Sequence, residues 1–197
     1  MSCWRATSSP CGSGGPRPAY PYPGVDRYEV PCRVHGEVLV GREVLEIDGW
    51  GQRDHSWGAA RDWWTNQWCW NAGRLSDGTR FHSAGGFFPE HDWGVAYRLD
   101  PDATEFVEGD SVRLDVTEGR ERLPTRTGVG IVDLDLEFEP IAFSPVLQVL
   151  PDGRQARFPR AMARITGSDG RTGGGWIEWN QPPTGTMLPP NDVPPPS

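Results

Sequence analysis

Residues 49–64 read Gly-Trp-Gly-Gln-Arg-Asp-His-Ser-Trp-Gly-Ala-Ala-Arg-Asp-Trp-Trp, a run with two Arg-Asp pairs, one His, four Trp and three Gly. It is too charged for an ordinary core strand and too aromatic for an ordinary loop. Charges leave water only when paired and hydrogen-bonded, so charge interleaved with Trp points to an organised site rather than solvated coil. Read as a strand, residues 52–57 place Arg53, His55 and Trp57 on one face and Asp54 and Ser56 on the other. A face of that kind is costly unless it lines a pocket or meets acidic partners.

The theme repeats downstream. In a strand over 64–74, Trp64, Asn66, Trp68 and Trp70 share a face; in one over 79–88, Arg80, His82, Ala84 and Gly86 do. Faces of antiparallel neighbours can adjoin, which would gather His55, Trp57, Asn66, Trp68 and His82 around one cavity. Glu178 is the leading acid elsewhere, beside Trp176 in a strand entered through Gly173-Gly174-Gly175, where the backbone allows close approach. It is placed to pair with Arg53 or Arg61.

Histidine ordinarily titrates near neutrality, which makes His55 the best general acid or base in the run, with Glu178 as the alternative. Arg53, Trp57, Asn66, Trp68, His82 and Trp176 are the candidate ligand contacts. A structural reading stands beside this one. Arg53, Asp54, Arg61 and Asp62 can form an internal ion-pair network while the tryptophans fill a core. Glu90, His91 and Asp92 share one turn and do not make a metal site, and no metal or redox cofactor is indicated. There is no Ser-His-Asp order, nucleophile elbow or phosphate-cradling loop. Four cysteines (Cys3, Cys11, Cys32, Cys69) without CxxC spacing argue against a disulfide framework or zinc.

The 197 residues have room for one domain of about 150 residues plus tails. Residues 1–26 and 182–197, rich in Pro, are expected to be disordered, leaving 27–181 as the folded domain. A formal charge of −8 disfavours nucleic acid and anionic membrane surfaces. All 19 basic residues are Arg, the side chain suited to planar pairing with carboxylates. No apolar run approaches the ~20 residues of a membrane span, and no secretory leader is evident in residues 1–24, so a soluble cytoplasmic protein is expected.

Short segments broken by Gly, Asp and Pro fill the middle of the chain. Residues 33–40 and 43–47 form a hairpin across Gly41-Arg42. Further strands are expected at 93–99, 112–117, 130–138, 141–150, 157–166 and 175–179. The clearest alternation sets Val132, Leu134, Leu136 and Phe138 against Asp133, Asp135 and Glu137. Helical periodicity is lacking. About ten short strands joined by tight turns predict an all-β, antiparallel barrel, with a jelly-roll sandwich as competitor.

Gly51-Gln52-Arg53-Asp54-His55-Ser56-Trp57-Gly58, with Arg61-Asp62-Trp63, resembles the lipocalin-like superfamily of AttH and the carotenoid 1,2-hydratases (hydroxyneurosporene synthases), and more closely a group of uncharacterised bacterial proteins within it. The resemblance runs over 28–183, with Tyr28-Glu29-Val30-Pro31 and Gly175-Trp176-Ile177-Glu178-Trp179 as weaker flanks. It implies a calycin-type antiparallel β-barrel, often present as two barrel-like halves, of which this chain is long enough for one. The hydratases use a His-x-Trp pair beside a Tyr and an Asp, the Asp protonating an isoprenoid double bond. His55 and Trp57 match the pair. The Tyr and Asp have no match, because the corresponding strand offers His82 and Ala84.

Two functions follow. One is a lipocalin-like domain binding a hydrophobic small molecule (isoprenoid, steroid or polyketide-like), with hydratase- or isomerase-type acid-base chemistry if it is an enzyme. The other is a non-catalytic half-barrel that packs against a partner domain or a second copy. A pocket of at least ~300 Å³ lined by His55 and Trp57 favours the first, and a filled barrel the second. A Trp-lined carbohydrate-binding jelly roll ranks last.

Overall fold

The computed structural model describes residues 25–58, 67–87, 92–109, 112–120, 123–149, 153 and 155–180. The expected tails lie outside these residues, as do Arg61, Asp62, Asn66 and the 88–91 turn. Every described element of regular length is a strand, and no α-helix occurs among the described residues.

The chain opens with a long hairpin. β1 (Val25–Val40) and β2 (Glu43–Gly58) pair antiparallel along their whole length in a two-stranded sheet. Gly41, at φ 63°, takes the first central position of the two-residue turn, where a primed turn demands positive φ. The strands expected separately at 43–47 and 52–57 are thus one continuous element.

The remaining strands are β3 (Gln67–Leu75), β4 (Arg80–Phe87), β5 (Asp92–Leu99), β6 (Val107–Gly109), β7 (Val112–Glu118), β8 (Pro124–Ile131), β9 (Leu134–Phe143), β10 (Val146–Val149), β11 (Gln155–Phe158), β12 (Arg160–Gly167) and β13 (Thr172–Asn180). Nine of them form an antiparallel sheet in the order β6-β5-β4-β3-β13-β12-β9-β8-β7, and β10 and β11 make a small flap. The strand expected over 130–138 is broken at its strongest alternation. Val132 adopts φ 53° in the turn between β8 and β9, which sequence pattern does not foresee because a β-branched residue is disfavoured there.

The sheet curls into a half-barrel. Phe81 on β4 and Phe138 on β9 meet edge to face at 6.0 Å although three strands separate them in the sheet. Arg98 on β5 pairs with Asp133 at the β8–β9 turn. The concave side is filled by apolar side chains, among them Leu75, Phe81, Ile131, Phe138, Ile165 and Ile177, all at most 1% exposed. Alternation then directs Trp68, Trp70 and Ala72 of β3 to the convex side, with His82 of β4 and Tyr97 of β5 beside them. The hairpin lies across that convex wall.

Candidate functional site

The site forms where hairpin and wall meet. On β1, Arg27, Glu29, Pro31 and Arg33 share a face with Ser56, Asp54, Gln52 and Trp50 of β2. This charged face turns towards the sheet. Glu29 is the most buried residue of the hairpin, 1% exposed. Its carboxylate accepts a bond from the Trp70 indole N–H at 2.9 Å, from Arg27 Nε at 2.6 Å and from the Gln52 amide at 3.4 Å. Arg27 also donates to Asp54 at 2.8 Å. Burial raises the Glu29 carboxyl to about 6; Arg27 and the Trp70 bond oppose this without cancelling it.

Gln52 extends the network, donating to the Tyr97 hydroxyl at 2.9 Å. Tyr97 is fully buried between His82, 5.5 Å away, and Phe106, 4.6 Å away, and burial raises its pKa. His82 is fully buried as well, between Tyr97 and Trp70, with Nδ1 2.9 Å from the Asn71 carbonyl. Burial holds its pKa down at about 3, so the imidazole is neutral, and its Nδ1–H donates to that carbonyl. A proton-binding carboxyl, a phenol and a neutral imidazole thus stand in one partly desolvated cluster.

A cavity of about 230 Å³ adjoins it, lined by Trp50, Gln52, Arg74, Arg80, Met162 and Trp176 over a floor of Ala72, Gly73 and Gly174. Gln52 belongs to both. The indole N–H of Trp176 donates to Glu178 at 2.8 Å, and Glu178 pairs with Arg160 at 3.4 Å, so this acid fixes a cavity wall.

The structure brings only some of the sequence-derived candidates together. Trp176 lines the cavity, and His82 sits in the buried cluster. Trp68 shares their wall but packs on Phe158 at 5.2 Å. Arg53, His55 and Trp57 share a face, as the alternation required, yet it is the hairpin face turned away from the sheet. There His55 stacks on Tyr28 at 5.8 Å, Trp57 is 43% exposed and Arg53 lies over the Tyr28 ring at 5.4 Å. Glu178 pairs with Arg160 rather than reaching Arg53, and Asp54 pairs with Arg27. Neither the filled half-barrel nor the cavity beneath the hairpin is lined by His55 or Trp57.

Arg27, Glu29, Gln52, Trp70 and Tyr97 were not singled out by the sequence. The available signal was the alternation of charge in β1, which ordinarily marks a solvent face. It marks a buried face here because the wall beneath supplies an indole N–H and a phenol as partners.

A curled antiparallel half-barrel with a long hairpin across its wall defines a lipocalin-like fold. The chain belongs to the family described as Domain of unknown function (DUF7064), whose model matches residues 4–183. Comparison of the sequence with curated proteins found no match. Among solved structures, the fold is similar to an AttH candidate from Nitrosomonas europaea, with 16% identity and a TM-score of 0.64 over 85% of this chain and 56% of that one. It is also similar to kievitone hydratase from Nectria haematococca, with 16% identity and a TM-score of 0.54 over 79% of this chain and 55% of that one. The chain therefore spans little more than half the length of each. The fold is the one the resemblance implied. No helix among the described residues is long and apolar enough to cross a membrane.

Proposed function

We propose that this domain binds a hydrophobic small molecule in the cavity beneath the hairpin, with Glu29, buried behind Gln52, as the acid-base group of the site. The observation that carries this reading is the position of Gln52, which lines the cavity and bonds both Tyr97 and the Glu29 carboxyl. A carboxyl that titrates near 6 is suited to general acid-base chemistry at neutral pH. Trp50, Trp176 and Met162 supply apolar contact. The volume is below the ~300–1,000 Å³ of drug-sized sites, so the cavity seats one or two rings of an isoprenoid, steroid or polyketide-like molecule rather than the whole of it. The name of the kievitone hydratase neighbour supports a hydratase-type reaction over other acid-base chemistry. Titration of Trp fluorescence with a panel of isoprenoids and steroids tests the reading. A saturable change is expected, and a folded sample that responds to none of them overturns it.

A second reading, the non-catalytic half-barrel that packs against a partner domain or a second copy, is the one a filled half-barrel favours, and it has a further observation of its own. Leu39, Val40, Val44 and Leu45 at the hairpin tip are 44–65% exposed, an apolar surface suited to a partner domain or a second copy of the chain. Light scattering across a concentration series, with Leu39→Ser/Val44→Ser as the control variant, distinguishes a self-associating tip from an inert one.

A further inference from the structure

We propose that the cavity recognises an anion: its ligand carries a carboxylate or comparable oxyanion on a flat, apolar, preferably aromatic body, held by Arg74 and Arg80 against Trp50. This rests on the small-molecule reading above and specifies the ligand's charge.

Arg74 on β3 and Arg80 on β4 are direct cross-strand partners. Like charges opposite one another in an antiparallel pair are destabilising. Both guanidinium groups converge on one indole, 5.6 and 5.0 Å from the centre of the Trp50 ring, and both line the cavity. Arg33 approaches the same ring at 5.0 Å, but Asp48 neutralises it at 2.6 Å. On the same wall and hairpin, Arg27, Arg160 and Arg164 each reach a carboxylate too. Among the described residues, no carboxylate lies within 4.0 Å of Arg74 or Arg80. In a chain of net charge −8, two adjacent arginines without an acidic neighbour form a local excess of positive charge facing an open space.

The space is kept clear. The β13 residue opposite Arg74 is Gly174, and a Cβ built there meets nothing nearer than the Ala163 carbonyl oxygen at 3.9 Å. At that position no side chain competes for the arginines. Guanidinium groups favour planar, bidentate pairing with carboxylates. Trp50 and Trp176 offer faces to a flat body, and Gln52 a further polar contact. A cationic ligand would be repelled, and a neutral one would gain nothing from the two guanidinium groups.

A matched pair of probes tests this on the full chain: 2-naphthoate and its neutral analogue 2-naphthamide, followed by Trp fluorescence and calorimetry. Naphthoate is expected to bind at least tenfold more tightly at low salt, with the preference shrinking as ionic strength rises. Arg74→Gln/Arg80→Gln is expected to abolish the preference while retaining naphthamide binding. Its melting temperature should stay close to that of the wild type, because relief of the like-charge pair offsets the loss of two guanidinium–indole contacts. Gly174→Leu fills the cavity and is expected to block both probes. Equal binding of the two probes, or a preference that survives the double substitution, overturns the anion assignment and leaves the small-molecule reading standing. Failure of both probes to bind folded wild-type protein also overturns the anion assignment on an aromatic body, while the small-molecule reading stands or falls on the isoprenoid and steroid panel.

Discussion

The indole N–H of Trp70 on β3 donates to Oε1 of Glu29 on β1 at 2.9 Å, joining the hairpin to the convex wall of the half-barrel through a buried carboxylate. A bond to a charged acceptor is worth more than a neutral one, about 1.5–3 kcal/mol. Trp70→Phe keeps the ring but removes the donor, and should destabilise the fold by about that amount at pH 7.5. It should also push Glu29 further upward, since that bond helps to hold its pKa down. Urea denaturation at two pH values measures both effects; a variant as stable as the wild type at pH 7.5 would remove this bond from the account.

Arg27 is the cation that compensates Glu29. Arg27→Met leaves a carboxylate buried without its partner and should cost about 3 kcal/mol at pH 7.5. The cost should be smaller at pH 5, where Glu29 is protonated. Arg53→Met, on the exposed face of the same hairpin, should cost under about 1 kcal/mol. Equal losses at the two positions would contradict the assignment of the ion pair to the inner face.

Glu29 and His82 should impose opposing pH dependences. Glu29 is raised from 4.5 to about 6, so the folded state holds its proton more tightly and stability falls as pH rises through that window. The span corresponds to about 2 kcal/mol. His82 is lowered from 6.5 to about 3, so the unfolded chain takes up the proton first and stability falls as pH drops below 6.5. Between pH 4.5 and 6 the two contributions oppose each other. The wild type should be nearly flat there; Glu29→Gln should therefore expose a loss towards acid of about 1.4 kcal/mol per pH unit, and His82→Phe a loss of similar size towards higher pH. Identical pH profiles for wild type and both variants would show that neither group is buried as described.

The glycines of β13 are not equivalent. A Cβ at Gly175 would stand against the Ala72 carbonyl oxygen and 2.8 Å from Ile165 Cδ1, and neither the strand backbone nor the filled core can move aside cheaply. Gly175→Ala should cost about 1–3 kcal/mol, whereas Gly174→Ala should stay within about 0.5 kcal/mol of the wild type. Thermal unfolding of the pair provides the check, and similar losses at both would contradict the assigned faces.

Val132 holds φ 53° in the β8–β9 turn while 39% exposed. Asn tolerates this conformation far better than a β-branched residue. Val132→Asn should raise stability by about 1 kcal/mol, read as a higher urea midpoint at unchanged slope; a lower midpoint would mean that the packing of Val132 Cγ2 over Gly109 of β6 outweighs the strain.

Much of the architecture was legible in the sequence because it depends on local pattern. Alternation and turn residues determined an all-β antiparallel chain, the Gly41-Arg42 hairpin and the strands that became β3, β4, β5 and β13. Alternation also settled that Arg53, His55 and Trp57 share a face. The break at Val132 was hidden, because a two-residue turn whose first residue is Val imitates an uninterrupted strand. The site was hidden for a deeper reason. A period of two divides residues between two faces but does not say which face is covered; that depends on another element arriving from far along the chain. The convex wall, with Trp70 and Tyr97 ready to bond, decided that the hairpin buries Arg27, Glu29 and Gln52 and leaves His55 and Trp57 outside. The sequence by itself determined the strands and the pairing of faces. Tertiary structure alone decided which charges were desolvated, and hence which carboxyl can hold a proton near neutral pH.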